Sequence, residues 1–543
     1  MTWEPITIGA ALRRTAESYP DRPAVIGEHS RLSFGELDRM VDEVAAGLID
    51  VGIQHGDNVA VWVANSPEWV AIWMACARIG AVLVPVNTRF KTREARYVLQ
   101  QSNASVLIMM DQYWDIDFFA MAQEMVPGLD TMEPGSIVSD DLPALRSIIL
   151  WNDVAQPGTS TLNALRERGR GNDGLAQREV EVSVDDTVII VYTSGTTGNP
   201  KGAMHSHVML RNAANVAREM HIEPGERILG HMPFYHIAGT VTEVLPCILL
   251  GCTLVTMSKW DPDKAMEIIA RERVNFLGGI PTHFIDCIDV LRKKPYDTSC
   301  LKSAWIGGAP VTPDVARAAF EIMQLDALQA VYGMTETTST TVLSEFDAPL
   351  EVLFDNKGKP VGEFEVIVVD ARSGEKLPAD AVGEVWVRGH IVMQGYYRNP
   401  EATREVITED GFFRTGDLGC FDRQGYLKIT GRVKDMFIVG GTNAYPAEIE
   451  RIIQGHDAVK QAIVVGVPHQ RLGEVGFAYV QLAENAALTR DELLVYCSSN
   501  MADYKVPRFV QFADEFPRTP TGKIQRFVLA EQAREKSRND SAD

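Results

Sequence analysis

The stretch Tyr192-Thr193-Ser194-Gly195-Thr196-Thr197-Gly198-Asn199-Pro200-Lys201-Gly202 holds three glycines, four serine or threonine hydroxyls and one lysine. Glycines let backbone N–H groups approach a ligand closely, hydroxyls donate hydrogen bonds, and a lysine offsets negative charge. That chemistry suits a polyphosphate. No Gly-Lys-Ser/Thr stands at the spacing of a Walker A loop. Taken alone, a surface connection rich in Gly, Ser and Thr explains the stretch equally well. The apolar run Thr187-Val188-Ile189-Ile190-Val191 before it reads as a buried strand, and Ser206-His207 after it reads as a helix start.

Further polar clusters stand at the edges of apolar runs. Pro233-Phe234-Tyr235-His236-Ile237-Ala238-Gly239 sets a histidine among aromatic and small residues, and Trp305-Ile306-Gly307-Gly308-Ala309-Pro310 is a glycine turn after a strand. Tyr332-Gly333-Met334-Thr335-Glu336-Thr337 offers an aromatic face, a hydroxyl and a carboxylate. Thr415-Gly416-Asp417, Gly431-Arg432-Val433-Lys434-Asp435 and Pro520-Thr521-Gly522-Lys523-Ile524 are short turns. Each has a plain reading by itself: a packed histidine, a helix start, an exposed turn.

The elements that must position these clusters alternate in type. Ser33 and Glu36 form a capping box, and Leu37, Val41, Val44 and Leu48 follow at helical spacing. Asn58 to Val63 reads as a strand, Pro67 starts a helix, and Ala81 to Val86 is strand again, a pattern of parallel α/β structure. Residues 127–185 read as loop-rich surface with one or two short elements. The alternation resumes beyond the glycine-rich stretch to about residue 345. From Glu363 to Thr430 short β runs between turns predict a small antiparallel unit. After Gly431, Pro446 at a helix start, the stripe Ile449, Ile452 and Ile453, a strand at Gln461 to Val467 and a second capping box at Thr489-Arg490-Asp491-Glu492 predict a small α+β domain. The charged final dozen residues are expected to fray.

At 543 residues the chain exceeds the size of one core, and a net charge of −21 argues against nucleic-acid binding. The seven cysteines are scattered and never form Cys-x-x-Cys, as expected of reduced thiols rather than a disulfide frame or zinc site. No secretory signal opens the chain, no peroxisomal address closes it, and no stretch is expected to span a membrane.

In combination and order these motifs resemble the adenylate-forming superfamily of acyl-CoA synthetases, aryl-CoA ligases, luciferases and peptide-synthetase adenylation domains, from about Ser33 to Lys523. The overall pattern, with Asn87-Thr88-Arg89-Phe90-Lys91, is most similar to bacterial medium- or long-chain fatty acyl-CoA synthetases. The resemblance implies an α/β chain. A large N-terminal domain (residues 1–430) holds two α/β subdomains and the small antiparallel β unit. A hinge (431–434) and a small mobile α+β domain (435–543) follow.

It also implies roles. Thr193, Ser194, Gly195, Thr196, Thr197, Gly198 and Lys201 match the loop on the β and γ phosphates of ATP. Gly308, Ala309 and Pro310 match the turn beside adenine, and Tyr332 matches the ring that stacks on it. Thr335 matches an α-phosphate contact, Glu336 the magnesium carboxylate, Asp417 the ribose carboxylate, and Arg432 a ribose and phosphate contact. Lys523 matches the lysine that reaches the α-phosphate. His236 joins Lys523, Glu336 and Thr335 as catalytic residues. Lys434 falls at the hinge, and rotation about it brings Val439-Gly440-Gly441 to the pantetheine arm of coenzyme A.

The implied reaction activates a carboxylic acid as acyl-AMP with release of pyrophosphate, then forms acyl-CoA. ATP, Mg2+ and coenzyme A are required, in a cytoplasmic enzyme for which a homodimer stays open. The acyl pocket is expected between His236 to Thr240, Trp305 to Gly308 and Met334. Its apolar residues favour a fatty acid, and the small Ala238 and Gly239 leave room. Aryl and steroid side-chain acids stay open, as does a luciferase-like oxygenase. Tyr235 in place of an aspartate, and a chain with no length left for a carrier domain, argue against a peptide-synthetase module.

Overall fold

The computed structural model describes residues 3–170, 173–193, 199–308, 311–355, 357–440, 442–518 and 524–540. Contacts group the chain into two compact units, Met1–Glu365 with Val387–Phe413, and Val366–Trp386 with Arg414–Asp543.

The first unit is built on two sheets. One runs in the order Gly395–Tyr396, Lys201–Ser206, Thr187–Thr193, Val82–Pro85, Asn58–Trp62, Val106–Met109, Ser147–Leu150 and Ser160–Thr161. From Thr187–Thr193 onward its pairings are parallel. The other runs through Ala327–Tyr332, Ser303–Gly307, Phe276–Gly279, Arg227–Gly230, Thr253–Thr256 and Pro23–Ile26, all parallel neighbours. Parallel strands are covered on both faces, which is why they read as unbroken apolar runs.

Local chemistry sets the helices. Phe34–Asp50 starts at the Ser33 and Glu36 capping box, with both reciprocal hydrogen bonds made. In Pro67–Arg78 every residue except Glu68 is buried, so its greasy sequence is core. Arg78 is buried there because Asp38 and Asp42 pair with it at 2.5 and 2.6 Å. No helix among the described residues is long and apolar enough to cross a membrane.

In the second unit Phe413–Phe421 and Leu427–Arg432 pair antiparallel, and the strands Thr442–Ala444, Phe437–Val439, Gly473–Leu482 and Val459–His469 form a further sheet. Helices Pro446–Gln454 and Arg490–Asn500 start where the sequence placed them, the latter with its capping box complete.

Three expectations are corrected. Residues 127–185 hold more than one or two short elements: Ser147–Leu150 is a buried strand inside the parallel sheet, and helices Leu162–Gly169 and Leu175–Glu181 follow. Four apolar residues are too short a run to separate from loop by periodicity. The glycine-rich stretch does not lead into a helix. Lys201–Ser206 is a strand antiparallel to Thr187–Thr193, and the helix begins at Met209. Of the charged final dozen, residues 532–540 continue a helix, Arg526–Asp540, in which Leu529 and Ala533 pack beside Ile463 and Phe477.

Candidate active site

The hairpin register pairs Thr193 with Lys201, so the glycine-rich loop springs from the ends of two hydrogen-bonded strands. Ser194, Gly195, Thr196, Thr197 and Gly198 lie outside the described residues. At the loop's base the Tyr97 hydroxyl donates to the Pro200 carbonyl at 3.1 Å, and Tyr192 bonds Gln101. Lys201 is half-buried, with Nζ 5.0 Å from the Tyr396 ring centroid.

Of four neighbouring parallel strands, Arg227–Gly230, Phe276–Gly279, Ser303–Gly307 and Ala327–Tyr332, all but Phe276–Gly279 deliver a candidate segment at the carboxyl end, where open α/β sheets bind ligands. After Ala327–Tyr332 the chain turns sharply. A Cβ on Gly333 would lie 1.7 Å from the Ser339 carbonyl oxygen, so only glycine fits. Thr335 and Glu336 stand in a single tight turn, Thr335–Thr337, with Thr335 buried and Glu336 half-buried. The backbone then passes through left-handed Thr338 and Ser339, at φ 52° and 71°. Such positions cost free energy and persist where the surroundings fix them. Here buried Asn212 donates to the Thr338 and Thr340 carbonyls at 2.8 and 2.9 Å. The Glu336 carbonyl accepts from the Met393 N–H at 2.9 Å, and its Oε1 accepts from the Tyr396 hydroxyl at 2.8 Å. Burial and the Glu336 charge push the Tyr396 hydroxyl pKa up, so it stays a donor.

After Ser303–Gly307, Gly308 is left-handed at φ 76°, while Ala309 and Pro310 lie outside the described residues. Trp305 lies over Gly278, where an added Cβ would come within 2.1 Å of the indole. The segment after Arg227–Gly230 hangs on buried Asn65. Its Nδ2 donates to the Gly230 and Met232 carbonyls at 3.1 and 2.8 Å, and its Oδ1 accepts from the Phe234 N–H at 2.9 Å. His236 Nδ1 accepts from the Ala238 N–H at 3.2 Å, so the proton of the neutral ring sits on Nε2. Gly239 does not open the pocket: a Cβ there would lie 2.6 Å from the Pro233 carbonyl oxygen, so its smallness is consumed by a close backbone approach.

Behind this segment, His231 Nε2 contacts His283 Nδ1 at 3.2 Å and His231 Nδ1 lies 3.6 Å from Glu243. Burial raises the Glu243 pKa well above the carboxylate range and lowers the His231 pKa well below the imidazole range, so the pair is held neutral. Cys252 and Cys287 are not activated thiols. Burial pushes Cys252 and Cys287 up to about 12.

In the second unit Asp417 and Arg432 are cross-strand partners, with Arg432 Nε 3.0 Å from Asp417 Oδ1. Lys434 is exposed just past the strand, and exposed Gly440 is left-handed at φ 56°, in the turn after Phe437–Val439. Gly441 and Lys523 lie outside the described residues.

Sequence reasoning missed Asn65, Asn212 and Tyr396. Asn65 is a polar residue just after the apolar run Val59–Ala64, and the Gly395-Tyr396 pair interrupts a loop. Neither signal names its partner, which lies tens of residues or more away.

A sequence profile of the AMP-binding enzyme family matches residues 12–397, and a profile of the AMP-binding enzyme C-terminal domain matches residues 448–523. The mitochondrial medium-chain acyl-CoA ligase ACSF2 of Mus musculus is 35% identical over 537 residues, spanning 97% of this chain and 87% of the relative. Among solved structures, ATP-bound MatB of Rhodopseudomonas palustris is 28% identical with a TM-score of 0.82, over 97% of this chain and 99% of the other. The o-succinylbenzoate CoA synthetase of Bacillus subtilis, in complex with its acyl-adenylate, is 26% identical with a TM-score of 0.78, over 96% and 97%.

Proposed function

The chain belongs to the AMP-binding enzyme family as an AMP-forming acyl-CoA synthetase, and on that premise we propose that its acid is apolar and fatty, of medium or long chain. The observation that carries this reading is the row of strand ends. The polar segment Met334–Glu336 and the segments Tyr235–Ala238 and Trp305–Gly308 stand at the carboxyl ends of strands in one parallel sheet. Apart from titratable His236, no ionisable anchor for a second charge lies in Ile237–Thr240, Trp305–Gly308 or Met334. The medium-chain activity of the mouse relative supports the same class.

The substrate carboxylate attacks the α-phosphorus of ATP, giving acyl-AMP and pyrophosphate. Both reactants are anionic, so donors that meet charge growing on the phosphoryl oxygens lower the barrier. Thr193, Ser194, Gly195, Thr196, Thr197, Gly198 and Lys201 hold the departing pyrophosphate, and Thr335 and Lys523 meet the α-phosphate. Gly308, Ala309 and Pro310 line the adenine and Tyr332 stacks on it. Asp417 and Arg432 hold the ribose. Glu336 fits magnesium: it is a hard oxygen donor whose Oε2 has no partner among the described residues, and magnesium binds through one or two carboxylates plus substrate phosphates. The ion, when bound, neutralises phosphate charge. The coenzyme A thiol then attacks the adenylate carbonyl and AMP leaves, with His236 beside the acyl group. Rotation of residues 435–543 about Lys434 withdraws Lys523 and brings Gly440 and Gly441 to the pantetheine arm. The same reading gives a cytoplasmic homodimer, which sedimentation tests.

Pyrophosphate release across a panel of carboxylic acids, with and without coenzyme A, tests the proposal. Fatty acids are expected to drive both pyrophosphate release and thioester formation. Preference for aryl or steroid acids overturns the fatty assignment, and pyrophosphate release without thioester overturns the choice of acceptor.

A further inference from the structure

We propose that Tyr396 is a positioning residue that holds the Glu336 carboxylate and the Lys201 ammonium apart, each aimed at the metal–pyrophosphate group. The inference rests on the reading of Glu336 as the magnesium ligand and Lys201 as a phosphate contact, and it adds the residue that sets the spacing between them.

Tyr396 is 7% exposed and lies on the short strand Gly395–Tyr396, which pairs with Lys201–Ser206 in the register Ala203 to Tyr396. Its strand is therefore the neighbour of the strand that carries Lys201. The Tyr396 N–H donates to Thr403 Oγ1 at 2.9 Å. From there the side chain serves both groups: the hydroxyl donates to Glu336 Oε1 at 2.8 Å, and the Lys201 Nζ stands 5.0 Å from the ring centroid. The Met393 N–H on the Glu336 carbonyl fixes the same turn from the same segment.

A direct ion pair between a lysine and a glutamate withdraws both from a ligand. The tyrosine gives each group a separate partner. Its ring face takes the cation without neutralising it. Its hydroxyl satisfies one carboxylate oxygen and leaves the other. Partners that orient a metal ligand in this way carry much of the metal affinity.

Mn2+ binding to the enzyme–ATP complex, read by paramagnetic resonance of free Mn2+, tests the proposal without turnover. Tyr396→Phe keeps the ring and loses the donor, and is expected to weaken Mn2+ about tenfold, with an unchanged melting temperature and an unchanged KM for the acid. Thr403→Ala loosens the same strand without touching the hydroxyl and is expected to keep Mn2+ affinity within about twofold. Glu336→Gln separates the two layers of argument. If Glu336→Gln weakens Mn2+ and Tyr396→Phe does not, the positioning role is overturned while the metal assignment stands. If Glu336→Gln has no effect, the metal assignment falls and the inference with it. Equal losses in Tyr396→Phe and Thr403→Ala also overturn it, because the effect is then one of strand packing.

Discussion

Asp417 and Arg432 face each other across neighbouring antiparallel strands, with Arg432 Nε 3.0 Å from Asp417 Oδ1, yet the Asp417 side chain is 6% exposed and that of Arg432 55%. The carboxylate is built in, and the guanidinium is free to swing. An ion pair with one open partner adds at most about 1 kcal/mol to stability. Asp417→Asn is therefore expected to leave the unfolding midpoint nearly unchanged while, on the proposed ribose role, raising the KM for ATP about tenfold or more. Kinetics with ATP varied, beside a melting curve, check this. A large drop in stability with an unchanged KM contradicts it.

Asn65 makes three hydrogen bonds to the backbone of the segment that carries His236. Asn65→Ala leaves two carbonyls and one N–H without that partner, a cost of about 3 kcal/mol. The KM for the acid is expected to rise with the KM for ATP unchanged, measured beside urea denaturation. Equal changes in both KM values contradict a local role.

The Ile8 N–H donates to His207 Nδ1 at 3.0 Å, and burial lowers the imidazole from 6.5 to about 4. The unfolded chain takes up this proton below about pH 6.5 and the folded chain resists it until about pH 4. Stability therefore falls as pH drops through that window, by up to about 1.4 kcal/mol per pH unit for this group. His205 and His283, also lowered to about 4, act with the same sign. Glu243, whose pKa is raised, acts in the opposite sense as pH rises above its unfolded value. Denaturation at pH 7 and pH 5 is expected to show a smaller loss in His207→Gln than in the natural protein; equal losses contradict the assignment.

Lys434 is exposed immediately after the strand Leu427–Arg432. If it is the hinge, Lys434→Pro restricts the backbone there and is expected to spare pyrophosphate release while abolishing thioester formation. Equal loss of both half-reactions contradicts the hinge.

What the sequence reveals and what it hides follow from the range of the forces involved. The capping boxes at Ser33 and Thr489 are legible because both partners lie within four residues. The parallel strands Val82–Pro85 and Thr187–Thr193 are legible because burial on both faces makes them largely apolar, whereas Ser147–Leu150 is too short a run to show itself. Lys201–Ser206 has no β-branched residue, and its pairing with Thr187–Thr193 makes it a strand. Tyr396 gains its meaning only from Glu336, sixty residues earlier, and Asn65 from carbonyls beyond residue 229. The glycine-rich stretch, the Tyr332–Glu336 turn and the Asp417 turn are legible as motifs because each is a contiguous cluster.

The fatty-acid assignment is tested most directly by competition. The enzyme is given ATP, Mg2+, coenzyme A and an equimolar mixture of straight-chain, aryl and steroid side-chain acids, and the thioesters are identified by mass. Medium- and long-chain fatty acyl-CoA is expected to exceed the others about tenfold, a difference of about 1.4 kcal/mol in transition-state binding. A product dominated by an aryl or steroid thioester, or pyrophosphate released with no thioester, contradicts the account.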